Sequence, residues 1–305
     1  MPELPEVETV VRGLKKSLPG RQITEVRLGK TDFIEDPAGL AAALTGARVG
    51  GVSRVGKFIC CEVKASAGDG SLGARQYFLI HLGMTGQLRV HHAAQPAPPH
   101  THCIFALDDG RELRYADIRR FGRMRIIVES QMELLRGELG AEPLEISLED
   151  FRARLGARRA MVKALLLDQH VLCGLGNIYV DESLFRARIH PMRVAAKLAR
   201  EQFAALHRAI RETLAAAIRL RGSSISDYVD SAGNRGEYQR RHRVYQREGK
   251  PCTRCRENIR RVVVAGRSSF FCPNCQPAPR RKKARRAARA GKTQEKKLSQ
   301  RAAAD

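Results

Sequence analysis

Four cysteines near the end of the chain constrain its fold more than any other feature. They occur as PCTRC, then sixteen residues, then CPNC, which places Cys252 and Cys255 in one CxxC knuckle and Cys272 and Cys275 in another. Two knuckles at this spacing bring four thiolates into a tetrahedral shell of the kind that holds Zn²⁺. With every coordination position supplied by protein, one such ion per chain is structural and has no open site for chemistry. The intervening RRVVVAGRSSFF reads as a β-hairpin with Gly266 near its bend. Pairing the four as disulfides fits poorly with Cys60, Cys61, Cys103 and Cys173. Those lie in apolar stretches and read as reduced core residues.

The rest of the chain divides by hydrophobic period. Residues 5–14 place Val7, Val10, Val11 and Leu14 on one helical stripe, and Pro5 suits the first turn. From about 22 to 128 the runs QITEVRL, GKFICCEV, QYFLIHL, GQLRV, CIFAL, ELRYA and MRIIV read as short strands, with the DDG of 108–110 as a hairpin turn. So many short strands predict a sandwich or barrel-like domain. ASAGDGSLGA (65–74) reads as a loop insertion and QPAPP (95–99) as another.

Beyond about 131 the period becomes helical, in FRARLGARRAMVKALLLD, NIYVDESLFRA and the stripe Phe203, Leu206, Ile210 and Leu214. Residues 222–242 read as a loop. The expected organisation is α+β: an N-terminal β-sandwich with an N-terminal helix (1–131), a helical domain (132–242), the four-Cys zinc-finger hairpin (243–277) and a basic disordered tail (278–305).

Charge narrows the partner. The 305 residues carry a net +23, of which +9 lies in 280–305, leaving +14 for the rest. A folded part this basic favours a polyanion, nucleic acid ahead of a membrane surface. No run of 18 apolar residues is present, and the acidic N-terminus does not read as a secretory signal. A cytoplasmic protein associated with the nucleoid is expected.

Two short stretches carry candidate chemistry. In VLCGLGNIYVDESLF, Gly174 and Gly176 precede Asn177 and a helix. Asn177 is expected to cap that helix, and the N–H groups at its start are expected to form a phosphate cradle, with Arg158, Arg159 and Lys163 adding charge. An ordinary helix–turn–helix connection is the plainer reading of the same residues. Arg267, at the cysteine hairpin, is a candidate phosphate contact. At the other end, MPELPE places Glu3 and Glu6 beside Pro2, which becomes a free secondary amine if Met1 is removed. The plainer reading makes the two acids complements to a helix N-terminus.

MPELPEVETVVRGL, GKF with Lys57, HLGMTG with Met84, DIRRFG at 117–122, GLGNIYVDE at 174–182 and the CxxC pair with GRSSFFC occur in one order over residues 1 to about 277. Together they resemble the formamidopyrimidine-DNA glycosylases, of helix-two-turn-helix architecture. The related endonuclease VIII branch has glycine where this chain has Leu4. The resemblance implies excision of oxidised purines, 8-oxoguanine and formamidopyrimidines, from double-stranded DNA by a monomer, followed by β,δ-elimination of the abasic strand.

The resemblance also assigns roles. Pro2 is implied as the Schiff-base nucleophile, Glu3 as general acid, Glu6 as the residue that holds the terminus or shuttles protons, Lys57 as proton donor in β-elimination and Arg267 as the aid to δ-elimination. Met84, Arg119 and Phe121 match the trio that fills the gap left by the everted nucleotide, with Arg119 on the orphaned cytosine. His100, Arg158, Lys163 and Asn177 match phosphate contacts, and 222–242 the segment that closes over the lesion. Ile118 and Gln246 depart from the common pattern, as does the tail after 280. The rival readings are an oxidised-pyrimidine preference, a non-catalytic zinc DNA binder, and an RNA-binding ribbon protein that leaves Pro2, Glu3 and Lys57 without a purpose.

Overall fold

The computed structural model describes residues 2–64 and 75–279. The insertion expected at 65–74 and the basic tail from 280 lie outside them. In chain order the elements are α1 (Leu4–Leu14), β1 (Ile23–Leu28), α2 (Pro37–Leu44), β2 (Arg48–Val55), β3 (Phe58–Lys64), β4 (Gln76–His81), β5 (Gln87–His92), β6 (Thr101–Leu107), β7 (Arg111–Ala116) and β8 (Arg123–Val128). There follow α3 (Glu129–Glu138), α4 (Leu148–Gly156), α5 (Val162–Leu167), α6 (Asn177–Arg186), α7 (Arg200–Arg219), β9 (Arg260–Val264) and β10 (Arg267–Phe271).

Two antiparallel four-stranded sheets, β1-β6-β7-β5 and β2-β3-β4-β8, face each other. Phe105, Leu113 and Tyr115 from the first share a core with Val49, Val63, Phe78 and Ile80 from the second, as inward-facing alternate residues of a sandwich do. All seven expected strands are present. β2 and α2 are additional; Asp36 caps α2 by accepting from Gly39 N at 3.0 Å, and Pro37 occupies its first turn. Helix α3 straddles the boundary expected at 131. Its Met132 and Leu135 pack against Cys60, Tyr77 and Leu79, so it belongs with the sandwich.

The stripe of α1 behaves as its spacing dictates: Val7, Val10, Val11 and Leu14 are buried in the sandwich core. Leu4, one turn earlier, is buried instead in the helical core with Leu175, Tyr179 and Leu214. One short helix therefore serves two cores, each buried leucine or valine contributing about 2 kcal/mol of transfer free energy. Arg54, 8% exposed, adds a polar tie, bonding Glu8 of α1 at 3.0 Å and Glu142 at 2.9 Å. Residues 2–6 are thereby fixed at the seam between the domains.

The segment 222–242 is expected as a loop and contains only one short turn of 3₁₀ helix, at Tyr238–Arg241. Buried polar anchors give it shape. Ser224 donates to Tyr228 O at 2.6 Å, and Asp230 accepts from Ala232 N and Asn234 N. Gln87 donates to Asp227 O at 2.6 Å, which draws the segment onto the sandwich.

Candidate active site and DNA-facing surface

Glu3 and Glu6 lie at this seam, 3% and 1% exposed. Glu3 Oε1 accepts from Ile178 N at 3.0 Å and Oε2 from Tyr179 N at 3.4 Å, so the carboxylate caps α6 from 175 residues away. This corrects two expectations for the GLGN turn. The cap residue of α6 is Gly176, while Asn177 stands inside the helix and donates its Nδ2 to Ser268 O at 2.9 Å. Two of the N–H groups expected to cradle a phosphate, those of Ile178 and Tyr179, are taken by Glu3. The glycines make that approach possible: a Cβ on Gly176 would lie 2.3 Å from Glu3 Cδ, and one on Gly174, at φ +83°, 2.8 Å from Leu4.

Glu6 Oε2 accepts from Glu3 N at 2.9 Å, closing the first turn of α1. Its other oxygen accepts from Ser223 N at 2.6 Å and from the Tyr179 hydroxyl. Burial, and next the neighbouring Glu3, push the Glu6 carboxyl up to about 7. Burial also raises Glu3, opposed most by the charge of Lys57 and then by the two α6 N–H groups. Lys57 sits in the turn between β2 and β3. Burial lowers its ammonium and Glu3 pulls it back up; Arg267 depresses it further. Arg267 begins β10 after the left-handed pair Ala265–Gly266, and is exposed. The structure thus brings Glu3, Glu6, Lys57 and Arg267 around buried Pro2. An acid whose pKa burial raises, beside a cation, can deliver a proton to a group that enters between them.

The sandwich presents a second group. Met84 and Phe121 are 38% and 49% exposed, and the Arg119 guanidinium lies 4.7 Å over the Phe121 ring. Buried Asp117 ties their loops together, accepting from Thr85 Oγ1, Tyr115 OH, Arg119 N and Gly122 N. His100 is exposed at φ +61°, its carbonyl held by Asp117 N at 3.1 Å. Arg158 is exposed after α4. Gln246 takes the left-handed φ of +54°, where glycine is the less strained residue.

Lys163 does not stand free as a phosphate contact. It is fully buried, with Nζ 2.6 Å from Asp181 Oδ1 and 3.1 Å from Ser268 O, and so fastens β10 to α6. A cation that a buried carboxylate and a carbonyl already claim is held away from solvent. Sequence reading also passed over Tyr179, Ser223, Tyr228 and His242. Tyr179 and Asp181 were visible in GLGNIYVDE, whereas nothing in the pattern of 222–242 signals Ser223 or His242.

The four sulfurs of Cys252, Cys255, Cys272 and Cys275 lie within 4.8 Å of one another. The separations of 3.9 Å for Cys252–Cys275, 3.4 Å for Cys255–Cys272 and 3.6 Å for Cys255–Cys275 suit tetrahedral thiolate coordination, whose edge is about 3.8 Å. Arg254 N and Cys275 N each point at a knuckle sulfur at 3.4 Å. The donor set fits a structural metal ion. Cys60, Cys61, Cys103 and Cys173 are buried free thiols, pushed up by burial.

Comparison with known proteins agrees with this geometry. Residues 1–124 match the formamidopyrimidine-DNA glycosylase N-terminal domain, 139–229 the H2TH domain of the same enzyme, and 249–278 the zinc finger found in FPG and IleRS. A formamidopyrimidine-DNA glycosylase of Desulforamulus reducens is 44% identical over 287 residues, covering 91% of this chain and all of that relative. Wild-type Lactococcus lactis Fpg in complex with an N7-benzyl-Fapy-dG containing DNA superimposes with a TM-score of 0.82 at 35% identity, covering 91% of this chain and all of the other. The same enzyme with an oxidised pyrimidine containing DNA gives 0.81 at 35%, over the same shares of the two chains. The chain belongs to the formamidopyrimidine-DNA glycosylase family.

Proposed function

We propose that this chain excises oxidised purines from duplex DNA through a Schiff base on Pro2 and then cuts the abasic strand by β,δ-elimination. DNA glycosylase and abasic-site lyase activities, and a place in base-excision repair, come with family membership. The observation that carries the residue assignment is Glu3: buried beside Lys57, directly after Pro2, with its carboxylate oriented by two N–H groups of α6.

Removal of Met1 leaves Pro2 with a secondary amine, whose α-amino class titrates near 8, so the free base is available near neutrality. That nitrogen attacks C1′ and the C1′–base bond breaks, the base leaving with the bonding pair and taking a proton from water. Glu3 gives its proton to the deoxyribose ring oxygen as the ring opens, leaving an iminium. Glu6 takes up the proton released by the amine. Lys57 serves the β-elimination and Arg267 the δ-elimination. Met84 and Phe121 fill the vacated stack, and Arg119 bonds the orphaned cytosine, as apolar wedges and flipped-base readers do. Exposed His100 and Arg158 contact phosphates, as does half-buried Asn177 at the start of α6. The four-cysteine ion is zinc, holding the hairpin that carries Arg267. The chain acts as a cytoplasmic monomer on DNA; among the described residues no helix is long and apolar enough to cross a membrane.

Borohydride trapping on a duplex with one 8-oxoguanine opposite cytosine tests the reading. A covalent adduct is expected with free Pro2 and none when an extra residue blocks it. Equal adducts from both forms exclude Pro2 as the nucleophile, and no adduct despite tight binding excludes the Schiff base. The relative bound to an oxidised pyrimidine favours a second reading, a pyrimidine preference. Faster excision of thymine glycol than of 8-oxoguanine selects it.

A further inference from the structure

Glu6 is one end of an uninterrupted line of buried polar side chains. Its Oε1 accepts the Tyr179 hydroxyl. Tyr179 Oη is 3.2 Å from Ser223 Oγ, and Ser223 Oγ is 3.1 Å from His242 Nε2. All four are nearly or fully buried, with His242 the most accessible at 8%. The His242 ring is wedged edge-on between Tyr238 and Tyr245, at 5.7 and 5.6 Å, which holds its nitrogen toward Ser223. Its chain neighbours Arg241 and Arg243 line an open cleft of 580 Å³ on the helical domain, formed with α6 and α7. His242 itself does not line that cleft, and its own 8% exposure is the line's contact with solvent.

We propose that Tyr179, Ser223 and His242 form a proton relay joining Glu6 to solvent at His242. It rests on the reading of Glu6 as the group that accepts the amine proton. Glu3 and Glu6 are already sealed by protein, and DNA lying over Pro2 closes the remaining approach. A proton that reaches Glu6 then needs a path that avoids the substrate face.

The donors are aligned for one. With His242 carrying its proton on Nε2, each group donates to the next in the direction of Glu6: His242 to Ser223, Ser223 to Tyr179, Tyr179 to Glu6. Shifting each proton one place loads Glu6 with a proton, and His242 Nδ1 takes the replacement from water. Discharge starts from the other tautomer: with His242 protonated on Nδ1 and bare at Nε2, Glu6 gives its proton to Tyr179, Tyr179 to Ser223, Ser223 to Nε2, and Nδ1 releases one to water. No electron pair is transferred between residues, and every oxygen ends with the valence it began with.

The groups facing the two ends fit this traffic. Around Glu6 stand Glu3, Lys57, Tyr179 and Tyr228, and its carboxyl is poised at about 7. Around His242 the charged neighbour is Arg247, with Tyr238, Tyr245 and Ser223 completing the shell; burial first, then Arg247, lowers the ring to about 4, so it rests neutral. Ser223 N still bonds Glu6 when its hydroxyl is removed, so the relay can be cut without releasing the carboxylate.

The test is single-turnover excision of 8-oxoguanine opposite cytosine across pH, in H₂O and D₂O, with duplex Kd measured alongside. Ser223→Ala and His242→Gln are each expected to slow excision about tenfold, to shift the pH profile and to shrink the solvent isotope effect, at unchanged Kd. Glutamine can donate to Ser223 but cannot pass a proton from one side to the other. Ser223→Thr restores the hydroxyl and is expected to restore the rate. Wild-type rates and pH profiles in both cut variants overturn the relay. So does a loss of rate with Kd and melting temperature falling together and the pH profile unmoved, since that is packing alone. If the unaltered protein gives no borohydride adduct, the Schiff-base reading has failed; if it does and the variants match it, only the relay has.

Discussion

Helix α6 holds a buried carboxylate at each side of the molecule, and the two behave differently. Glu3 caps its first turn; Glu182, on the helix itself, accepts the successive N–H groups of Arg243, Val244 and Tyr245, each at 2.9 Å. Both are 3% exposed and both are raised by burial. Glu182 has spent its oxygens on a run of backbone N–H groups, with Arg243 as its charged neighbour. Beside it Asp181 is likewise spent, on Lys163 and on Phe270 N at 2.9 Å. Glu3 instead has Lys57, Glu6 and Pro2 for neighbours. Burial and a raised pKa are therefore shared by both carboxylates; what separates Glu3, the acid proposed to work, is the identity of what stands opposite.

Breaking each side separately sharpens the contrast. The largest effect is expected from stripping the metal. Ion binding at such sites supplies on the order of 10 kcal/mol of local folding energy, so chelation should unfold the hairpin and abolish tight duplex binding. Circular dichroism should still report the sandwich; full duplex affinity in metal-free protein would contradict a structural role. Glu3→Gln comes next, slowing excision about 10³-fold, or about 4 kcal/mol, while the amide it turns toward an α6 N–H costs about 1–3 kcal/mol of stability. A variant that melts early but excises at the normal rate reverses the assignment.

On the other side, Lys163→Met leaves Asp181 buried and unpaired and should cost about 3–5 kcal/mol in urea unfolding. Glu182→Gln turns an amide toward an N–H that needs an acceptor. It should cost about 1–3 kcal/mol while sparing excision by the folded protein. The smallest effect is in pH. Because the Glu6 carboxyl is raised from 4.5 to about 7, the unfolded chain ionises first, and the stability associated with Glu6 is full below 4.5 and lost as pH rises through 7. Glu6→Gln lacks that loss, so the wild-type melting temperature should fall relative to the variant across this window; a constant difference refutes the shift.

The seven expected strands, the valine stripe of α1 and the cysteine knuckles were legible because each rests on a local repeat. Helix α2, PAGLAAAL, was not: its alanines give no amphipathic contrast, and only Asp36 and Pro37 mark its start. Asn177 and Lys163 were placed by motif position, and each was claimed in the fold by Ser268 or Asp181, partners about ninety and eighteen residues away. The Ser223–His242 pair lay in a segment with no period to read.

The sequence by itself determined the class of this protein. It set which stretches alternate, which coil, where four thiolates meet, and that Pro2 precedes two glutamates. These follow from spacing along a chain whose helix and strand geometry is fixed. Only the tertiary structure decided what each charged group faces. The cap of α6 comes from residue 3, admitted by two glycines; Lys163 is turned inward; Glu6 is joined through Tyr179 and Ser223 to a histidine on another segment. The energies of buried polar groups depend on partners brought together from distant parts of the chain, and only a folded core supplies those partners.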